Sequence, residues 1–504
     1  MNRRLFFDSK DEAIQYIQRN KIQMVDLKFI DLYGQPRHVT LSATACDASV
    51  FIDGIGFDGS SVTKFRSTES GDLSIIPDLQ VAFLDPFWES PTLSFLCNIV
   101  EADRPERRFP SDPRFIAQKA EIYLRTITGG LDVRMSPEAE FFLFDQVSFN
   151  NASNLASFSV QSQEVIRDAP LPSGSETVYR LGITDGYHRC PPGDRYYEIR
   201  SEICEVLEEC GILTKYHHHE VGGASQQEIE LGFNGLLRMC DDFFLLKYIV
   251  KNVAARHNLV ATFMPKPLFG EPGNGMHIHM FLVDQQGNSM FYKDGADYAD
   301  LSDMGIAFIA GLLDHGRSLL GFTNPSTNSY RRLVPGHEAP TQLYFSSANR
   351  CAAIRIPKYA RTSTTKRMEF RSPDASCNIH LAAAAILMAA LDGLERSLTP
   401  QALLDPDSGP RKYIGPVRGR LEDESAEMQQ LIEQVPANLE AALGALAADR
   451  DYLCKQVSLP GSGCEEPVFS EDLITRWIQL HLNSDVRPIS LRPTPYEYQL
   501  YFNC

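Results

Sequence analysis

The chain reads SPEAEFFLF at residues 136–144, and this mixture of charged and apolar residues decides the fold that we expect. Glu138 and Glu140 stand two positions apart, and residues two apart in a β-strand point to the same face of the sheet. A strand over residues 138–144 therefore carries two carboxylates on one face, with apolar side chains filling most of the remaining positions.

Four further segments place acids, amides, imidazoles or guanidinium groups two residues apart. They are YHHHEV with His218 and Glu220, SQQEIEL with Gln226, Glu228 and Glu230, GMHIHMF with His277 and His279, and KRMEFRSP with Arg367, Glu369 and Arg371. Any one of them fits an ordinary strand with a solvated face. Together they favour a functional sheet, because glutamate and histidine dominate and lysine is nearly absent.

Several carboxylates on one sheet face repel each other, and a divalent cation removes that repulsion. Carboxylates combined with one or two imidazoles suit Mg²⁺ or Mn²⁺. The run His217–His219 raises zinc as an alternative. Adjacent histidines of a strand point to opposite faces, so the three cannot all bind one ion. We therefore predict a magnesium or manganese site.

Arginines follow in the second half of the chain. They are Arg331, Arg332, Arg350, Arg355, Arg367 and Arg371. Guanidinium groups match the oxygens of carboxylates and phosphates, and beside a metal–carboxylate site they favour phosphoryl transfer. The alternative is a set of structural ion pairs. The glycine-rich GEPGNGMH at residues 270–277 leads into a strand and lacks the ending of a Walker loop, so it is weak evidence for nucleotide binding.

Composition narrows the class of protein. Of 504 residues, 43% are hydrophobic and 22% are charged, which excludes a disordered chain. The net charge of −17 disfavours binding to nucleic acid or to an anionic membrane. The longest apolar run, Leu381 to Leu391, is too short to span a bilayer. Eleven scattered cysteines without a CxxC pair predict a reducing cytoplasm.

The organisation along the chain predicts an α+β protein. A helix over Asp11 to Asn20 and a strand from Met24 to Phe29 suggest a small N-terminal unit. The proline-rich segment 101–114 is the expected linker, and we place domains at residues 1–108 and 109–504. Asp145 to Ser173 is expected to form a long surface loop. A helical tail is expected near Leu439, where leucines recur at helical spacing.

Seven stretches resemble the type I glutamine synthetase family, in the family's order and spacing, along nearly the whole chain. They are FDGSS from Phe57, PEAEFFLFD from Pro137, HHHEV with QQEI over residues 217–229, KPLFGEPGNGMHIH from Lys266, NPSTNSYRRLVPGHEAP from Asn324, NRCAAIRIP from Asn349 and RMEFRSPD from Arg367. The resemblance implies a small N-terminal β-grasp-like domain and a large catalytic α/β domain with an antiparallel sheet. It also implies a dodecamer of two stacked hexameric rings with shared active sites.

The resemblance implies a role for each residue at a matching position. The first metal would be bound by Glu140, Glu220 and Glu228, and the second by Glu138, His277 and Glu369. Glutamate would be held by Gly273, Arg332 and Arg371, the nucleotide by Phe233 and His279, and its phosphates by Arg350, Arg355 and Arg367. The catalytic set would be Arg350, the flap acid Glu338 and Asp58, which a neighbouring subunit contributes to bind ammonium and take its proton.

The implied reaction is the ATP-dependent ligation of ammonia to the γ-carboxylate of L-glutamate through γ-glutamyl phosphate, with two or more Mg²⁺ or Mn²⁺ ions. Two alternatives remain: a ligase that joins glutamate to an organic amine or polyamine, and a non-catalytic assembly of the same fold. The presence of Asp58 and Glu338 favours ammonia, because a substituted amine needs room and less negative charge. The intact set of metal-ligand positions argues against a non-catalytic assembly.

This sequence also departs from the family's usual residues at four positions near the site. Pro272 stands in place of Asn, Phe281 in place of Ser, Ser225 in place of Gly, and His337 in place of Tyr. None of these positions matches a metal ligand.

Overall fold

The computed structural model describes residues 2–62, 65–164, 180–336, 338–399, 402–405, 409–461 and 464–504. The strands are β1 Arg4–Leu5, β2 Met24–Ile30, β3 Pro36–Ser42, β4 Ile55–Asp58, β5 Asp72–Leu84, β6 Thr92–Glu101, β7 Arg104–Arg108, β8 Asp132–Phe144, β9 Gln146–Ala152, β10 Leu155–Gln161, β11 Thr214–His219, β12 Gln226–Leu231, β13 Val260–Thr262, β14 Ile278–Val283, β15 Phe345–Ser347, β16 Ile354–Ile356, β17 Met368–Phe370, β18 Ala402–Asp405, β19 Gly409–Tyr413, β20 Gln456–Ser458 and β21 Glu465–Pro467.

The helices alternate with these strands along the chain. They are α1 Lys10–Arg19, α2 Pro113–Thr128, α3 Tyr197–Glu209, α4 Leu236–Arg256, α5 Asp303–Asp314, α6 Gly316–Thr323, α7 Ser329–Arg332, α8 Ile379–Glu395, α9 Ala426–Leu431, α10 Leu439–Ala448, α11 Glu471–His481, α12 Arg487–Ser490 and α13 Pro495–Tyr501. Strands and helices are thus mixed throughout, which confirms the predicted α+β class.

The N-terminal sheet has the strand order β1-β5-β6-β2-β3, with β4 paired to β5 and β7 paired to β6. The β2–β6 pair is parallel, and its neighbours are antiparallel. Helix α1 is capped by Ser9, whose side chain accepts a hydrogen bond from the Glu12 N–H, and it buries Ala13 and Ile17. Such a capped amphipathic helix beside a mixed sheet fits the β-grasp expectation.

The second sheet carries the functional face and has the order β11-β12-β8-β14-β17-β16-β15, with β13 also paired to β8. Its pairs are antiparallel except for β15 and β16, which are parallel. Strand β8 is almost wholly buried and extends six residues before the predicted start at Glu138. Its aromatic run is explained by this burial, because a strand covered on both faces needs apolar side chains at nearly every position.

Helix α8 forms the centre of the helical layer and is buried over most of its length. This explains the apolar run at Leu381, since a helix that is apolar on all sides belongs inside a protein core. The side chain of Asn378 caps the helix and also donates to the backbone oxygens of Asp31 and Leu32, at 3.0 and 3.2 Å. Among the described residues, no helix combines the length and apolar content needed to cross a membrane.

One expectation from the sequence is wrong. The predicted loop from Asp145 contains the antiparallel β9–β10 hairpin, and its residues 165–173 lie outside the described part of the chain. The strands of this hairpin gain their order from pairing, which local sequence does not display. The predicted linker 101–114 contains β7 over Arg104–Arg108, and its Asp112 caps α2 by accepting a hydrogen bond from the Arg114 N–H.

Candidate active site

The acidic groups of the second sheet share one face, because of the strand register. Glu140 lies opposite Glu228, and Glu138 lies opposite Glu230. On the next strand, His218 lies opposite Glu228. Directly paired residues of neighbouring strands project from the same side of a sheet. The same-face arrangement that the two-residue spacing predicts is therefore present.

A cavity of about 840 Å³ lies over this face. It brings together most of the residues that the sequence singled out: Glu138, Glu140, Glu220, Glu228, Gly273, His277, Arg332, Glu338, Arg350, Arg355, Arg367, Glu369 and Arg371. These residues come from segments spread over more than two hundred positions of sequence. Acids on the sheet face thus meet arginines from the second half of the chain in one space.

Glu138, His277 and Glu369 form one group of potential metal ligands, with donor atoms within 4.8 Å of one another. His277 Nδ1 lies 2.8 Å from Glu138 Oε2 and 3.9 Å from Glu369 Oε1. Burial raises the pKa of Glu138, but His279 and His277 outweigh it and hold that pKa well below the usual value. Glu138 is therefore an anion at neutral pH, and two carboxylates with one imidazole suit Mg²⁺ or Mn²⁺.

Glu220 and Glu228 form a second group, together with His218. Burial and neighbouring carboxylates raise the pKa of both glutamates well above the usual value. Among the described residues, Glu220 Oε2 has no hydrogen-bond partner, and His218 Nδ1 lies 3.6 Å from it. His218 Nε2 also lies 3.4 Å from Glu228 Oε1, so one imidazole lies beside both acids. Buried carboxylates that repel each other are the donor set that a bound cation would stabilise. These residues therefore fit a divalent metal.

Glu140, which the resemblance assigns to the same metal as Glu220 and Glu228, is held differently. Its Oε2 atom accepts hydrogen bonds from the Gly275 N–H at 2.8 Å and from Gln226 Nε2 at 3.3 Å. Its Oε1 atom lies 3.8 Å from His277 Nε2. Glu140 thus stands between the two groups, with one oxygen directed toward the His277 imidazole.

Arg332 is buried beside the glycine-rich stretch and donates to the backbone oxygens of Ser372 and Arg371, at 2.8 and 3.0 Å. A Cβ atom on Gly275 would lie 2.5 Å from Arg332 Nη2 and 2.8 Å from His277 Nε2. A Cβ atom on Gly273 would lie 2.4 Å from the Pro265 oxygen. The glycines are therefore needed because the backbone passes directly over the arginine and the imidazole.

The other arginines connect the acids to the rim of the cavity. Arg355 and Arg371 each donate to Glu369, and Arg371 Nε donates to the Arg350 oxygen at 3.0 Å. At the rim, Arg350 lies 3.5 Å from both Glu338 Oε2 and the Tyr187 hydroxyl. Two of these arginines thus contact a carboxylate directly and the third lies at the rim, an arrangement that suits an anionic substrate beside a metal.

Three predicted residues do not line the cavity: Phe233, His279 and Asp58. The ring of Phe233 lies 5.6 Å from the guanidinium of Arg367, which does line it. His279 is fully buried, with Nε2 2.8 Å from Glu138 Oε1. Its position on β14 orients the carboxylate of Glu138.

Asp58, the third of these residues, lies on the surface at the end of β4. It accepts hydrogen bonds from the Ser61 hydroxyl at 2.6 Å and the Ser60 N–H at 2.8 Å. These donors lower the pKa of Asp58 to about 2. The residue is therefore a fixed, ionised group that does not line the cavity of its own chain.

Sequence reasoning missed part of the cavity wall. Tyr187, His188 and Tyr359 line it, and His218, noted for its spacing, was not placed among the ligands. The ring of His188 lies 4.2 Å from the ring of Tyr187 and 4.4 Å from that of His218. His218 could have been found from its place opposite Glu228, but no local pattern marks the other three.

The departures from the family pattern have separate structural settings. Pro272 lines the cavity, and Phe281 is buried with its ring 5.3 Å from that of Phe233. Ser225 has a φ of +74°, the left-handed conformation that favours glycine. His337 lies outside the described residues.

Comparison with known proteins agrees with this arrangement. Residues 21–102 match the family model "Glutamine synthetase, beta-Grasp domain", and residues 110–501 match "Glutamine synthetase, catalytic domain". The glutamine synthetase of Frankia alni is 40% identical over 498 residues, covering 99% of this chain and 100% of that protein. That of Aquifex aeolicus (strain VF5) is 40% identical over 493 residues, covering 98% of each.

A solved structure gives the same result at lower identity. The cryo-EM structure of Plasmodium falciparum glutamine synthetase superimposes with a TM-score of 0.86 at 26% identity, covering 99% of this chain and 100% of that one. The fold, the acidic face with its arginines, and the full-length matches lead to one conclusion. The chain belongs to the glutamine synthetase family.

Proposed function

We propose that this chain joins ammonia to the γ-carboxylate of L-glutamate at the expense of ATP, and that the 840 Å³ cavity is its active site. The reaction forms γ-glutamyl phosphate and ADP, and ammonia then displaces phosphate to give glutamine. The observation that carries this proposal is the meeting of buried, repelling carboxylates with arginines in one cavity. That combination supports phosphoryl transfer to an anionic acceptor. The sequence-based alternatives, an organic amine acceptor and a non-catalytic assembly, are not favoured.

The family uses ATP and a divalent metal, and we propose Mg²⁺ or Mn²⁺ here because the donors are carboxylates and one imidazole. Glu138, His277 and Glu369 would hold one ion; Glu140, Glu220 and Glu228 would hold the other. The bound ions would neutralise charge on the triphosphate and the glutamate carboxylate. His218, which lies near Glu220 and Glu228, is available to the second set.

The arginines divide between the two substrates in this proposal. Arg332 and Arg371 would hold the carboxylates of glutamate, and Gly273, which lines the cavity, packs closely against Arg332 and would contribute to the same site. Arg350, Arg355 and Arg367 would contact the phosphates, with Phe233 behind Arg367 at the nucleotide end. Guanidinium groups keep their charge throughout turnover, so they can balance the charge that moves between the two substrates.

We propose that Asp58 serves the active site of a neighbouring subunit, where it binds ammonium and takes its proton together with Glu338. Its ionised state supports this assignment, as does the fact that it does not line the cavity of its own chain. Glu338 is exposed at the cavity rim and has a φ of +53°, which is uncommon for a residue with a side chain. A closing flap would bring it over the substrates and exclude water.

We propose a dodecamer of two stacked hexamers with shared active sites. Exposed apolar surfaces support assembly: the β9–β10 hairpin leaves Phe149 82% exposed, and Phe502, beside the C-terminal helix α13, is 74% exposed. Such surfaces on a folded chain mark contacts with another chain.

We also propose the domain division at residues 1–108 and 109–504. No disulfide joins the cysteines among the described residues, which supports a cytoplasmic location.

The direct test is glutamate-dependent release of ADP by the purified protein with Mg²⁺ or Mn²⁺, comparing ammonium with a panel of small amines and polyamines. We expect turnover with ammonium, and formation of glutamine. Turnover with an amine alone would contradict the assignment of the acceptor. A folded, assembled protein without turnover would contradict the catalytic role.

Replacing Asp58 tests the proposed ammonium site. We expect Asp58→Ala to lower glutamine formation by about 10²- to 10⁴-fold, the usual contribution of a general base, and to spare ADP release without ammonium. Both half-reactions are measured on the same preparation. Asp53→Ala, which removes another exposed acid of the same region, is the matched control and should leave both rates near wild type. Equal loss of the two half-reactions in Asp58→Ala would contradict the ammonium role.

A further inference from the structure

Among the described residues, Glu220 Oε2 has no hydrogen-bond partner, whereas the backbone N–H and oxygen of Glu220 both have partners. The Glu220 N–H donates to the Gln226 oxygen at 2.8 Å. The Glu220 oxygen lies 2.7 Å from Nδ1 of the preceding residue, His219. A carbonyl oxygen only accepts hydrogen bonds, so His219 Nδ1 is the donor. The imidazole of His219 thus holds the backbone of a proposed metal ligand.

His219 is held in turn by Glu164. Its Nε2 atom lies 3.0 Å from Glu164 Oε2, and both side chains are fully buried. The other oxygen of Glu164 accepts a hydrogen bond from the Arg195 N–H at 2.8 Å. The Glu164 N–H donates to the Ser162 hydroxyl at 3.2 Å, which fixes the backbone as well. The carboxylate therefore has a defined position, and so does the imidazole that it contacts.

The same imidazole also supports the missed part of the cavity wall. A Cβ atom on Gly186 would lie 2.4 Å from His219 Cε1 and 2.3 Å from the Glu220 oxygen, so the turn packs directly on the ring. The Gly186 N–H donates to the Val221 oxygen at 3.1 Å, and the His188 N–H donates to the His219 oxygen at 3.0 Å. His219 thus lies beneath the metal ligand and beneath the segment that carries Tyr187.

We propose that Glu164 and His219 are positioning residues, which fix the backbone of Glu220 so that its carboxylate stands ready for a divalent cation. Neither side chain lines the cavity. The inference rests on the proposed metal site and adds two residues behind it. Groups that orient a metal ligand through a hydrogen bond commonly change metal affinity by about 10- to 100-fold when they are removed.

The test is calorimetric titration of Mn²⁺ into metal-free, full-length protein. We expect Glu164→Ala to raise the dissociation constant of one class of Mn²⁺ sites by about 10- to 100-fold. Glu164→Gln should restore a value near wild type, because the amide can accept from the Arg195 N–H and donate to His219 Nε2. If Glu164→Ala does not fold, Glu164→Asp withdraws the carboxylate by one methylene and should give an intermediate constant.

The matched control is Asp392→Asn. Asp392 Oδ2 lies 3.0 Å from His315 Nε2, which makes a buried acid–imidazole pair of the same kind away from the cavity. We expect this variant to lower Tm and to keep the wild-type Mn²⁺ constants. Wild-type constants in Glu164→Ala, or equal weakening in Asp392→Asn, would overturn the inference. A wild-type protein that binds no Mn²⁺ would instead overturn the proposed metal site.

Discussion

Two clusters of buried acids in this chain differ in how many hydrogen-bond partners their carboxylate oxygens have. Where helices α2, α4 and α8 meet, both oxygens of Asp241 on α4 are occupied. Oδ1 lies 2.9 Å from Arg114 Nε and 3.0 Å from His380 Nε2, and Oδ2 lies 2.8 Å from Arg114 Nη2. Burial raises the pKa of Asp241, but Arg114 and His380 outweigh it and lower that pKa overall. In the cavity, burial and neighbouring carboxylates raise the pKa of Glu220, and its Oε2 atom has no hydrogen-bond partner among the described residues.

The difference separates charge that stabilises the fold from charge that serves the site. A buried carboxylate with an arginine and an imidazole is complete within the chain, and removing a partner leaves an uncompensated charge. A group of unpaired carboxylates is incomplete and destabilises the protein until a cation binds. Buried acids that repel each other therefore mark the metal site better than acidity alone does.

The largest effect on activity is expected at the carboxylate cluster of the cavity, which contains Glu220 and Glu228. Glu220→Gln should reduce glutamine formation below detection, because it removes a charged ligand from the proposed first metal. The same change should stabilise the metal-free protein by about 1 kcal/mol, since it removes a repulsion, as functional-site replacements often do. Activity and urea unfolding are measured on the same preparation.

The exposed acid Glu205 on helix α3 provides the control for this replacement. Glu205→Gln changes the net charge by the same amount, away from the cavity. We expect it to change neither activity nor stability appreciably. Retained activity in Glu220→Gln would exclude this residue as a necessary metal ligand. A less stable metal-free Glu220→Gln protein would contradict the repulsion.

At the cluster of Asp241, Arg114 and His380 we expect a large effect on stability and a small effect on metal binding. Asp241→Asn should cost about 3–5 kcal/mol of the free energy of unfolding, because Arg114 loses its main buried counter-charge. Any protein that remains folded at low temperature should keep its Mn²⁺ affinity, since Asp241 lies outside the cavity. Urea unfolding and Mn²⁺ titration measure the two quantities. A stable Asp241→Asn protein with weakened metal binding would reverse our assignment of the two clusters.

The carboxylates of the cavity could be predicted from the sequence better than the cluster around Asp241, for a physical reason. Glu138 and Glu140 reveal their shared face through spacing alone, because a strand alternates its side chains whatever its neighbours are. The contact between Arg114 and Asp241 joins residues 127 positions apart and leaves no local pattern. The β9–β10 hairpin was missed because its order comes from pairing.

The roles of particular site residues show the same limit. The resemblance named most of the charged residues of the cavity wall. For Asp58 it implied only a role in the active site of a neighbouring subunit, which a single chain does not display. It did not indicate that His279 is fully buried, with Nε2 2.8 Å from Glu138 Oε1. Glu164 carries no motif, and its meeting with His219 exists only in the folded chain. Spacing predicts faces of elements, and tertiary packing decides which side chains meet there.

The smallest expected effect is the pH dependence of metal-free stability, which has opposite signs at the two clusters. The folded-state pKa values of Glu220 and Glu228 lie well above the ordinary 4.5, so between 4.5 and those values the folded chain holds protons that the unfolded chain has released. Stability therefore falls as pH rises through this window, by up to about 1.4 kcal/mol per pH unit for each proton. The lowered pKa of Asp241 contributes stability above the ordinary 3.8, and that contribution is lost only as pH falls through the folded value.

Thermal unfolding from about pH 5.5 to pH 8 separates these contributions, because Asp241 stays ionised over that range. We expect the Tm of metal-free protein to fall more steeply with pH in wild type than in Glu220→Gln. Saturating Mn²⁺ should remove this difference in slope, because the bound cation keeps the carboxylates ionised in the folded state. Parallel slopes for the two metal-free proteins would show that the acids of the cavity are already compensated within the chain. The contrast with Asp241 would then be lost.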